Sequence, residues 1–219
     1  MRTLAIGDIH GCYTALTFLL QQVKPTPSDR IVFLGDYVDR GPATKQVVDT
    51  LIELKKSCAT TFIRGNHELM MLEARQKDDG WRSCGGLETL RSYQAELSDD
   101  WISQVPEAHW EFFEDTQLFL ETDTHIFIHG CLEPDLDMKD QSDGVLFWDP
   151  FSKMKKPHKS GKRVICGHTK QGSGKPANVG YAVCIDTGAA YGGWLTCLDT
   201  ETGKYWQANE KGEWTHNLL

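Results

Sequence analysis

The sequence lacks long apolar runs, an excess of basic residues and a regular cysteine pattern. Its uninterrupted apolar runs extend over a few residues only, so no transmembrane helix and no membrane partner are expected. The formal net charge of −8 argues against a general nucleic-acid binder, because such proteins present a basic surface. The seven cysteines are odd in number, scattered and mostly inside apolar runs, which predicts reduced thiols in a cytoplasmic protein.

Internal repeats and low-complexity linkers are missing too. The first strand begins close to Thr3, which leaves no room for a signal peptide. With 219 residues, of which 40% are hydrophobic and 25% charged, the chain suits one globular domain with a sizeable core. We therefore expect a single domain over residues 1–219, a helical insert at about residues 78–115, and a monomer.

A short apolar strand followed by a polar loop occurs three times in the first third of the chain. Each loop carries Asp, His or Asn near glycines, which let the backbone turn sharply as it leaves the sheet. The three loops are Gly7–Gly11 (GDIHG), Gly35–Gly41 (GDYVDRG) and Arg64–Glu68 (RGNHE). Open α/β sheets bind ligands at the carboxyl ends of their strands, where these loops would lie. Any one loop could be a polar turn before a helix, but all three together indicate a functional edge.

Strands and helices alternate between these loops, and strands dominate the last hundred residues. The β–α–β–α–β order predicts parallel strands with helices on the faces of the sheet. An aromatic-rich helical pattern fills the insert, and packing is its expected role. Further strands are expected at residues 118–121, 126–129, 163–166, 181–185, 194–198 and 204–208, of which the first two form a hairpin.

These motifs resemble those of the phosphoprotein phosphatase family of two-metal phosphoesterases. The resemblance continues through Ile128-His129-Gly130, Cys166-Gly167-His168 and Asp186-Thr187-Gly188, and it covers about residues 3 to 199. The motifs GDYVDRGP and GNHE are similar to those of compact bacterial serine/threonine or dual-specificity protein phosphatases. These phosphatases are related to symmetrical diadenosine tetraphosphate hydrolases. The resemblance implies an α/β fold in which two mixed β-sheets pack as a central sandwich flanked by helices, a four-layer metallophosphoesterase-like fold.

The resemblance also implies a centre for two divalent metal ions. Asp36 would bridge the ions, since a shared carboxylate can hold two cations about 3.5–4 Å apart. Oxygen and imidazole ligands without thiolate suit Mn²⁺, Fe or Zn²⁺, and similarity to the bacterial relatives favours Mn²⁺. The implied ligands are Asp8, His10 and Asp36 for one ion, and Asp36, Asn66, His129 and His168 for the other.

The same family pattern implies direct attack on phosphorus by a hydroxide that bridges the metal ions. His67 would act as the general acid for the leaving group, with Asp39 orienting its ring. Arg40 offers a guanidinium fork for two phosphate oxygens. Arg64 would either bind phosphate or form a structural ion pair, and Glu68 is expected to fix the start of its helix.

The chain departs from its bacterial relatives where a second phosphate-binding arginine is expected. That stretch is Leu146–Phe151 (LFWDPF), and Trp148 stands where the arginine would align. No arginine lies between Arg91 and Arg163, so the second clamp is missing or replaced. We expect Trp148 to bind substrate by offering a flat apolar face to an aromatic ring. A basic cluster follows this stretch and is either a solvated loop or a rim that steers anionic substrate. Its residues are Lys153, Lys155, Lys156, Lys159, Lys162 and Arg163.

From these residues we predict a metal-dependent phosphoprotein phosphatase that hydrolyses phosphoserine, phosphothreonine or phosphotyrosine in proteins or peptides. One alternative is a dinucleoside polyphosphate hydrolase, which would cleave diadenosine tetraphosphate much faster than phosphopeptides. Another is a catalytically silent metal-binding scaffold. The scaffold is disfavoured because His67, Asp39 and Arg40 are all present beside the expected ligands.

Overall fold

Two β-sheets form the centre of the computed structural model, which describes residues 2–77 and 80–219. Residue 1 and residues 78–79, where the expected insert begins, lie outside the described residues. The strands are β1 (Thr3–Ile6), β2 (Arg30–Phe33), β3 (Ala59–Phe62), β4 (Phe119–Glu121), β5 (His125–Ile128), β6 (Arg163–Cys166), β7 (Ala177–Asn178), β8 (Ala182–Cys184), β9 (Leu195–Asp199), β10 (Lys204–Ala208) and β11 (Trp214–Leu218).

Both sheets mix parallel and antiparallel pairs. The first sheet has the order β11-β10-β9-β1-β2-β3, in which β1, β2 and β3 are parallel and the other pairs are antiparallel. The second sheet has the order β4-β5-β6-β8-β7, in which β5, β6 and β8 are parallel between antiparallel edge strands. Each sheet therefore presents the carboxyl ends of three parallel strands.

Helices cover the outer faces of the sheets. They are α1 (Tyr13–Val23), α2 (Thr44–Lys55), α3 (Asn66–Ala74), α4 (Gly86–Ser92), α5 (Glu107–Glu114) and α6 (Asp143–Trp148). In α1, the apolar residues Ala15, Leu16, Leu19 and Val23 recur on one face and are buried, as their spacing predicts. In the described ranges, no helix is long and apolar enough to cross a membrane.

Alternation along the strands divides the core into layers. In β1, Leu4 and Ile6 pack under the helices that cover the first sheet, whereas Ala5 packs between the two sheets. In β5, Phe127 joins that same inter-sheet layer, and Ile126 packs towards the layer that contains α6. The expected α/β fold, with two mixed sheets as a central sandwich flanked by helices, is confirmed.

Most of the expected elements are present, and three were missed. The parallel β1, β2 and β3 and the β4–β5 hairpin are confirmed. The described part of the insert is helical, with 3₁₀ turns at Trp81–Cys84 and Ile102–Gln104 before α4 and α5. The sequence did not predict α6, β7 or β11. β7 has two residues and β11 is a mostly exposed edge strand, so neither carries the pattern of a buried strand.

Candidate metal centre

The loops that follow the parallel strands hold five of the predicted site residues in left-handed backbone conformations. These residues are His10, Asp36, Asp39, Arg40 and His168, with φ between 47° and 72°. Among the other described non-glycine residues, only Lys24 and Gln94 have a positive φ. Such conformations are uncommon for residues with a Cβ atom and persist where surrounding contacts hold them. The backbone at this edge is therefore fixed by its neighbours.

Glu68 supplies much of that support. It is buried, and its carboxylate accepts hydrogen bonds from the backbone N–H groups of Gly65 (2.9 Å), Asp36 (2.8 Å), Tyr37 (2.7 Å) and Val38 (3.2 Å). Burial and the charge of Asp36 raise the pKa of Glu68 to about 7, and the N–H donors oppose that shift. Its expected place at the start of α3 is confirmed, and it also fastens the loop after β2.

Two glycines let carboxylates approach the backbone closely. A Cβ atom on Gly65 would lie 2.1 Å from Oδ1 of Asp36, and a Cβ atom on Gly167 would lie 2.1 Å from Oδ1 of Asp8. Any other residue at these two positions would displace the carboxylate, because a Cβ atom cannot lie this close to an oxygen atom. The glycines of the GNHE and CGH motifs therefore make room for the acidic side chains.

Asp36 lies in the middle of the predicted metal ligands. Its Oδ2 atom is 3.3 Å from Nε2 of His10, and its Oδ1 atom is 3.4 Å from Nε2 of His129. All three side chains are buried. A carboxylate that presents one oxygen to each of two groups of donors is suited to bridge two cations.

Asn66, His168 and Asp8 complete the predicted set. The Oδ1 atom of Asn66 is 2.9 Å from Nε2 of His129 and 3.1 Å from Nδ1 of His168. The Asp8 carboxylate accepts the backbone N–H of His168 at 3.1 and 3.0 Å. The loops after β1, β2 and β3 thus supply four of the six predicted ligands, and the loops after β5 and β6 supply the other two.

Two of the histidines have the tautomer and charge that cation binding needs. Nδ1 of His10 donates to the carbonyl of Val38 and Nδ1 of His129 donates to that of Leu34, each at 2.8 Å. The Nε2 atom of each ring therefore carries the lone pair and faces Asp36. Burial lowers the pKa of His10 to about 3 and that of His129 to about 4, so both rings are neutral at pH 7.

Three carboxyl groups, those of Asp8, Asp36 and Asp186, share this buried space. Burial, together with the charges of Asp186 and Asp36, raises the pKa of Asp8. Burial also raises the pKa of Asp186 to about 6. It opposes ionisation of Asp36 as well, but the neighbouring histidines outweigh burial and hold the pKa of Asp36 below its usual range. Buried carboxylates this close together need positive charge nearby.

The donor atoms form two groups that overlap at Asp36. Within each group, one donor atom per residue lies within 4.8 Å of the others. The groups are His10, Asp36 and His67, and Asp36, His129 and His168. The first group contains His67, the predicted general acid, and not the predicted ligand Asp8, whereas the second consists of predicted ligands. Oxygen and imidazole donors without thiolate suit divalent cations, which would also offset the buried negative charge. The residues present therefore fit two such ions.

His67 and Asp39 form a buried pair beside these groups. Nδ1 of His67 donates to Oδ2 of Asp39 over 2.6 Å, and the His67 ring lies 4.8 Å from the His10 ring. Burial opposes protonation of His67, but the charges of Asp36 and Asp39 outweigh burial and raise the pKa of His67. With Nδ1 engaged, the ring retains Nε2 for proton transfer, as a general acid requires.

Arg40 and Trp148 border the cluster. Nη1 of Arg40 contacts Nε2 of His10, and the guanidinium lies 5.3 Å from the centre of the Tyr191 ring. The carbonyl of Trp148 accepts a hydrogen bond from Nε2 of His168 at 3.3 Å, and the Trp148 residue is 47% exposed. Trp148 is therefore a rim residue and not part of the core.

Arg64 makes its hydrogen bonds elsewhere. Its guanidinium donates to the hydroxyl of Thr116 (2.8 Å) and to the carbonyls of Phe113 (3.3 Å), Glu114 (2.8 Å) and Thr116 (3.2 Å). These contacts fasten the end of α5 to the loop after β3. They give Arg64 a structural role through carbonyls instead of the ion pair considered from the sequence. Its predicted role in substrate binding draws no support from this position.

The basic cluster is paired with surface carboxylates. Four of its lysines lie 2.7–2.9 Å from an acidic oxygen: Lys153 from Asp149, Lys156 from Asp135, Lys159 from Asp137 and Lys162 from Glu121. Pairing cancels much of the local positive charge, and steering of a substrate depends on charge that is left unpaired. The structure therefore favours the solvated loop over the steering rim.

Sequence reasoning gave no site role to Asp186, Trp81 or Thr89. Asp186 lies in a motif that supports the resemblance, and its burial among the other carboxylates could not be derived from that motif. Trp81 and Thr89 belong to the helical insert and donate hydrogen bonds to Asp39. In the sequence, the Gly85-Gly86 pair three residues before Thr89 is a feature that could have drawn attention to this segment.

Comparison with known proteins supports a phosphoesterase. A family model described as calcineurin-like phosphoesterase matches residues 1–172. The symmetrical bis(5'-nucleosyl)-tetraphosphatase of Pseudomonas putida (strain W619) is 34% identical over 113 residues, which cover 51% of this chain and 38% of that protein. The asymmetrical bis(5'-nucleosyl)-tetraphosphatase PrpE of Bacillus subtilis (strain 168) is 29% identical over 217 residues, which cover 87% of each chain.

A similar fold occurs among solved structures. The cold-active protein-tyrosine phosphatase of a psychrophilic Shewanella species superposes with a TM-score of 0.65. The match covers 98% of this chain and 80% of that one, at 16% sequence identity. At this identity the likeness shows a common fold and leaves the substrate open.

Proposed function

The chain belongs to the calcineurin-like phosphoesterase family, and from this premise we propose that it hydrolyses dinucleoside polyphosphates. Both sequence relatives described above carry the name bis(5'-nucleosyl)-tetraphosphatase. Their names favour a dinucleotide substrate over the phosphoproteins that the motifs predicted. The proposal concerns the substrate, since hydrolysis of a phosphoester or phosphoanhydride follows from the family.

One observation about the rim carries the proposal. Two residues with exposed aromatic side chains contact residues of the site from different segments. Trp148, at the end of α6, is 47% exposed and contacts His168 through its backbone carbonyl, and Tyr191 is 56% exposed with its ring beside Arg40. A dinucleoside polyphosphate has one aromatic base at each end of an anionic chain. Exposed aromatic rings bind bases by stacking. Two exposed aromatic residues next to a phosphate-binding centre would suit such a molecule.

Cationic side chains extend the phosphate-binding surface towards Tyr191. Nζ of Lys170 lies 4.1 Å from the centre of the Tyr191 ring, and the Arg40 guanidinium lies 5.3 Å from the same ring. A polyphosphate chain carries negative charge beyond the reacting phosphorus. Lys170 and Arg40 are positioned to neutralise that charge.

The predicted ligands would hold two divalent cations, which we expect to be Mn²⁺, with Fe or Zn²⁺ as alternatives. When bound, such cations make a water molecule more acidic and neutralise charge on the phosphate. Arg40 would hold phosphate oxygens and orient the reacting group. His67, protonated on both ring nitrogens, would donate the Nε2 proton to the leaving oxygen, and Asp39 would stabilise and orient that charged ring by accepting the hydrogen bond from Nδ1.

The test compares two substrate classes with purified protein in Mn²⁺. We expect kcat/KM for diadenosine tetraphosphate to exceed that for phosphoserine, phosphothreonine and phosphotyrosine peptides. Trp148→Ala and Tyr191→Ala should each raise KM for diadenosine tetraphosphate about 5- to 100-fold, since base stacking contributes about 1–3 kcal/mol. Their kcat on 4-nitrophenyl phosphate should stay unchanged. Faster hydrolysis of phosphopeptides would contradict the proposal.

A phosphoprotein phosphatase is the second candidate, and the buried His67–Asp39 pair favours it. An alkoxide leaving group, as from phosphoserine or phosphothreonine, needs a proton more than a nucleotide does. The exposed face of Trp148 would also suit the ring of phosphotyrosine. In this case phosphotyrosine peptides should be hydrolysed at least as well as the others, and Trp148→Ala should reduce that preference. A preference for phosphothreonine that survives the substitution would rule out this role of Trp148.

A further inference from the structure

The helical insert reaches into the catalytic pair. Trp81, in the 3₁₀ turn Trp81–Cys84, is buried, and its indole Nε1–H points at the Asp39 carboxylate, 2.9 Å from Oδ2 and 3.1 Å from Oδ1. Thr89, in α4, donates its hydroxyl to Oδ1 of Asp39 at 2.8 Å. The same hydroxyl oxygen accepts the backbone N–H of Asp39, also at 2.8 Å. Two residues of the insert therefore hold both the side chain and the backbone of Asp39.

These contacts complete the hydrogen bonding of a fully buried carboxylate. Asp39 has 0% exposure, and a carboxylate has room for about four donors. His67 and Trp81 donate to one oxygen, and Trp81 and Thr89 share the other. Asp39 also has φ of 72°, a conformation that its surroundings must maintain. Without the insert, the imidazole of His67 would be the one side-chain donor that the described residues offer this carboxylate.

Close packing fixes the two donors in place. A Cβ atom on Gly86 would lie 2.6 Å from the Trp81 ring, so the glycine lets the backbone lie against the indole. On its other side, Trp81 packs against Trp101, with ring centres 5.1 Å apart. The carbonyl of Gly85 accepts the backbone N–H of Arg40 at 3.1 Å. The Gly85-Gly86 pair thus brings the insert against both Trp81 and the loop that carries Asp39.

We propose that Trp81 and Thr89 are positioning residues for the proton transfer made by His67, a role that rests on the proposed phosphate hydrolysis. In that reaction an oxygen of water bonds to phosphorus and loses a proton to solvent, while the bond from phosphorus to the leaving oxygen breaks. The leaving oxygen takes the proton from Nε2 of His67, and solvent returns a proton to the ring. By holding Asp39, Trp81 and Thr89 keep Nδ1 occupied and Nε2 directed at the leaving oxygen.

The alternative is that Trp81 only packs within the aromatic insert. Packing alone requires a large ring and would leave the direction of the indole N–H undetermined. Trp101 offers the matched comparison, because it is a buried tryptophan in the same cluster and no hydrogen bond joins it to Asp39 in the described residues. A substitution that removes only the N–H therefore separates the two roles.

The test uses two esters that differ in how much their leaving group needs a proton. Phenyl phosphate releases a basic phenoxide, whereas 4-nitrophenyl phosphate releases a weakly basic one. Trp81→Phe and Thr89→Val should each lower kcat on phenyl phosphate about 10- to 100-fold, with a much smaller loss on 4-nitrophenyl phosphate and little change in KM. Thr89→Ser should restore kcat, because it returns the hydroxyl. Trp101→Phe should lower kcat equally, and only slightly, on both esters.

Equal losses on the two esters, or a loss in Trp101→Phe that matches that in Trp81→Phe, would overturn the positioning role. Thermal unfolding and bound-metal analysis of each variant would show whether a loss reflects damage to the fold. If the wild type cleaves diadenosine tetraphosphate but neither ester, the same two leaving groups are supplied as aryl esters of adenosine 5'-phosphate. A wild type that hydrolyses none of these compounds would defeat the proposed function itself, and the inference with it.

Discussion

At the residue scale, the centre combines neutral imidazoles with buried carboxylates. His10 and His129 each bind a backbone carbonyl through Nδ1, which leaves Nε2 directed at Asp36. His67 differs because its Nδ1 meets the carboxylate of Asp39, and its pKa is raised where theirs are lowered. The same residue type therefore serves two purposes, and the partner of Nδ1 distinguishes them.

Replacing His67 by asparagine tests the role of the proton donor. His67→Asn should lower kcat about 10²–10⁴-fold on an alkyl phosphate such as phosphoserine, because the leaving alkoxide loses its acid. The loss should shrink on 4-nitrophenyl phosphate, whose leaving group needs little protonation. Steady-state kinetics on both substrates measures the effect. Losses of the same size on both would assign His67 to metal support instead.

The clustering of most of the candidate ligands could be predicted from the sequence because each lies next to a strand in a short motif. The partners of Asp39 could not, since Trp81 and Thr89 are 42 and 50 positions away along the chain. A tryptophan and a threonine in a helical segment carry no pattern that separates packing from hydrogen bonding. For Arg64 the sequence suggested a role that the structure does not support. It lies next to Gly65 of a predicted site motif, but its guanidinium donates to backbone carbonyls of Glu114 and Thr116 in another segment.

At the scale of secondary structure, the site depends on how the loops after the strands are fastened. The Glu68 side chain accepts a hydrogen bond from the N–H of Gly65, just before α3, and hydrogen bonds from three N–H groups of the loop after β2. The insert fastens the same loop from the other side, through α4 and the 3₁₀ turn. Parallel strands and amphipathic helices could be predicted from apolar spacing, whereas β7 and β11 bury too little to leave a pattern.

Removal of the Glu68 carboxylate should destabilise this part of the fold. Glu68→Ala leaves buried N–H groups without partners, so we expect the free energy of unfolding to fall by about 2–4 kcal/mol. Urea denaturation of metal-free protein measures the change. Glu73→Ala, at an exposed position of the same helix, is the control and should have little effect. A similar small effect for both variants would show that Glu68 is not needed to hold the loop.

The start of the first sheet gives a pH-dependent prediction. Asp29 accepts hydrogen bonds from Nη2 of Arg2 at 2.6 Å and from the backbone N–H of Thr26 at 2.8 Å, and the Arg2 guanidinium lowers the pKa of Asp29. An unfolded aspartate ionises near pH 4. Because the folded pKa is lower, the ionised carboxylate stabilises the fold above about pH 4, and this contribution is lost as the pH falls further.

Asp29→Asn should therefore lower the free energy of unfolding at pH 7 by about 1–2 kcal/mol, which is moderate because Arg2 is partly exposed. The difference from the wild type should shrink steadily between about pH 4 and pH 3. Urea denaturation of both proteins over this range measures it. A difference that stays constant from pH 7 to pH 3 would exclude an ionised Asp29 as its source.

At the scale of the whole molecule, two sheets contribute to one centre. Candidate ligands from the first sheet meet His129 and His168 from the second, so the sandwich must form before the candidate centre exists. The packing of the two sheets could be expected from the family resemblance but not from any single segment. The extent of the domain, residues 1–219, and the monomeric state remain predictions.

The chain has a net charge of −8, so electrostatic steering of an anionic substrate was considered only for the basic cluster. Since four of its lysines are paired, Lys153→Ala and Lys156→Ala should change KM for anionic substrates less than about twofold. The salt dependence of KM should also stay the same. Measurements at low and high ionic strength would check both points. A large rise in KM that salt abolishes would restore the steering hypothesis.

The central claim is that two divalent cations at Asp36 and its neighbours support phosphate hydrolysis. The direct measurement is a titration of metal-free protein with Mn²⁺, in which bound metal and hydrolysis of diadenosine tetraphosphate are followed together. We predict no activity without metal, a maximum at two bound ions per chain, and loss of at least one ion and most of the activity in Asp36→Asn. Full activity in metal-free protein, or two tightly bound ions with near-normal turnover in Asp36→Asn, would contradict the claim.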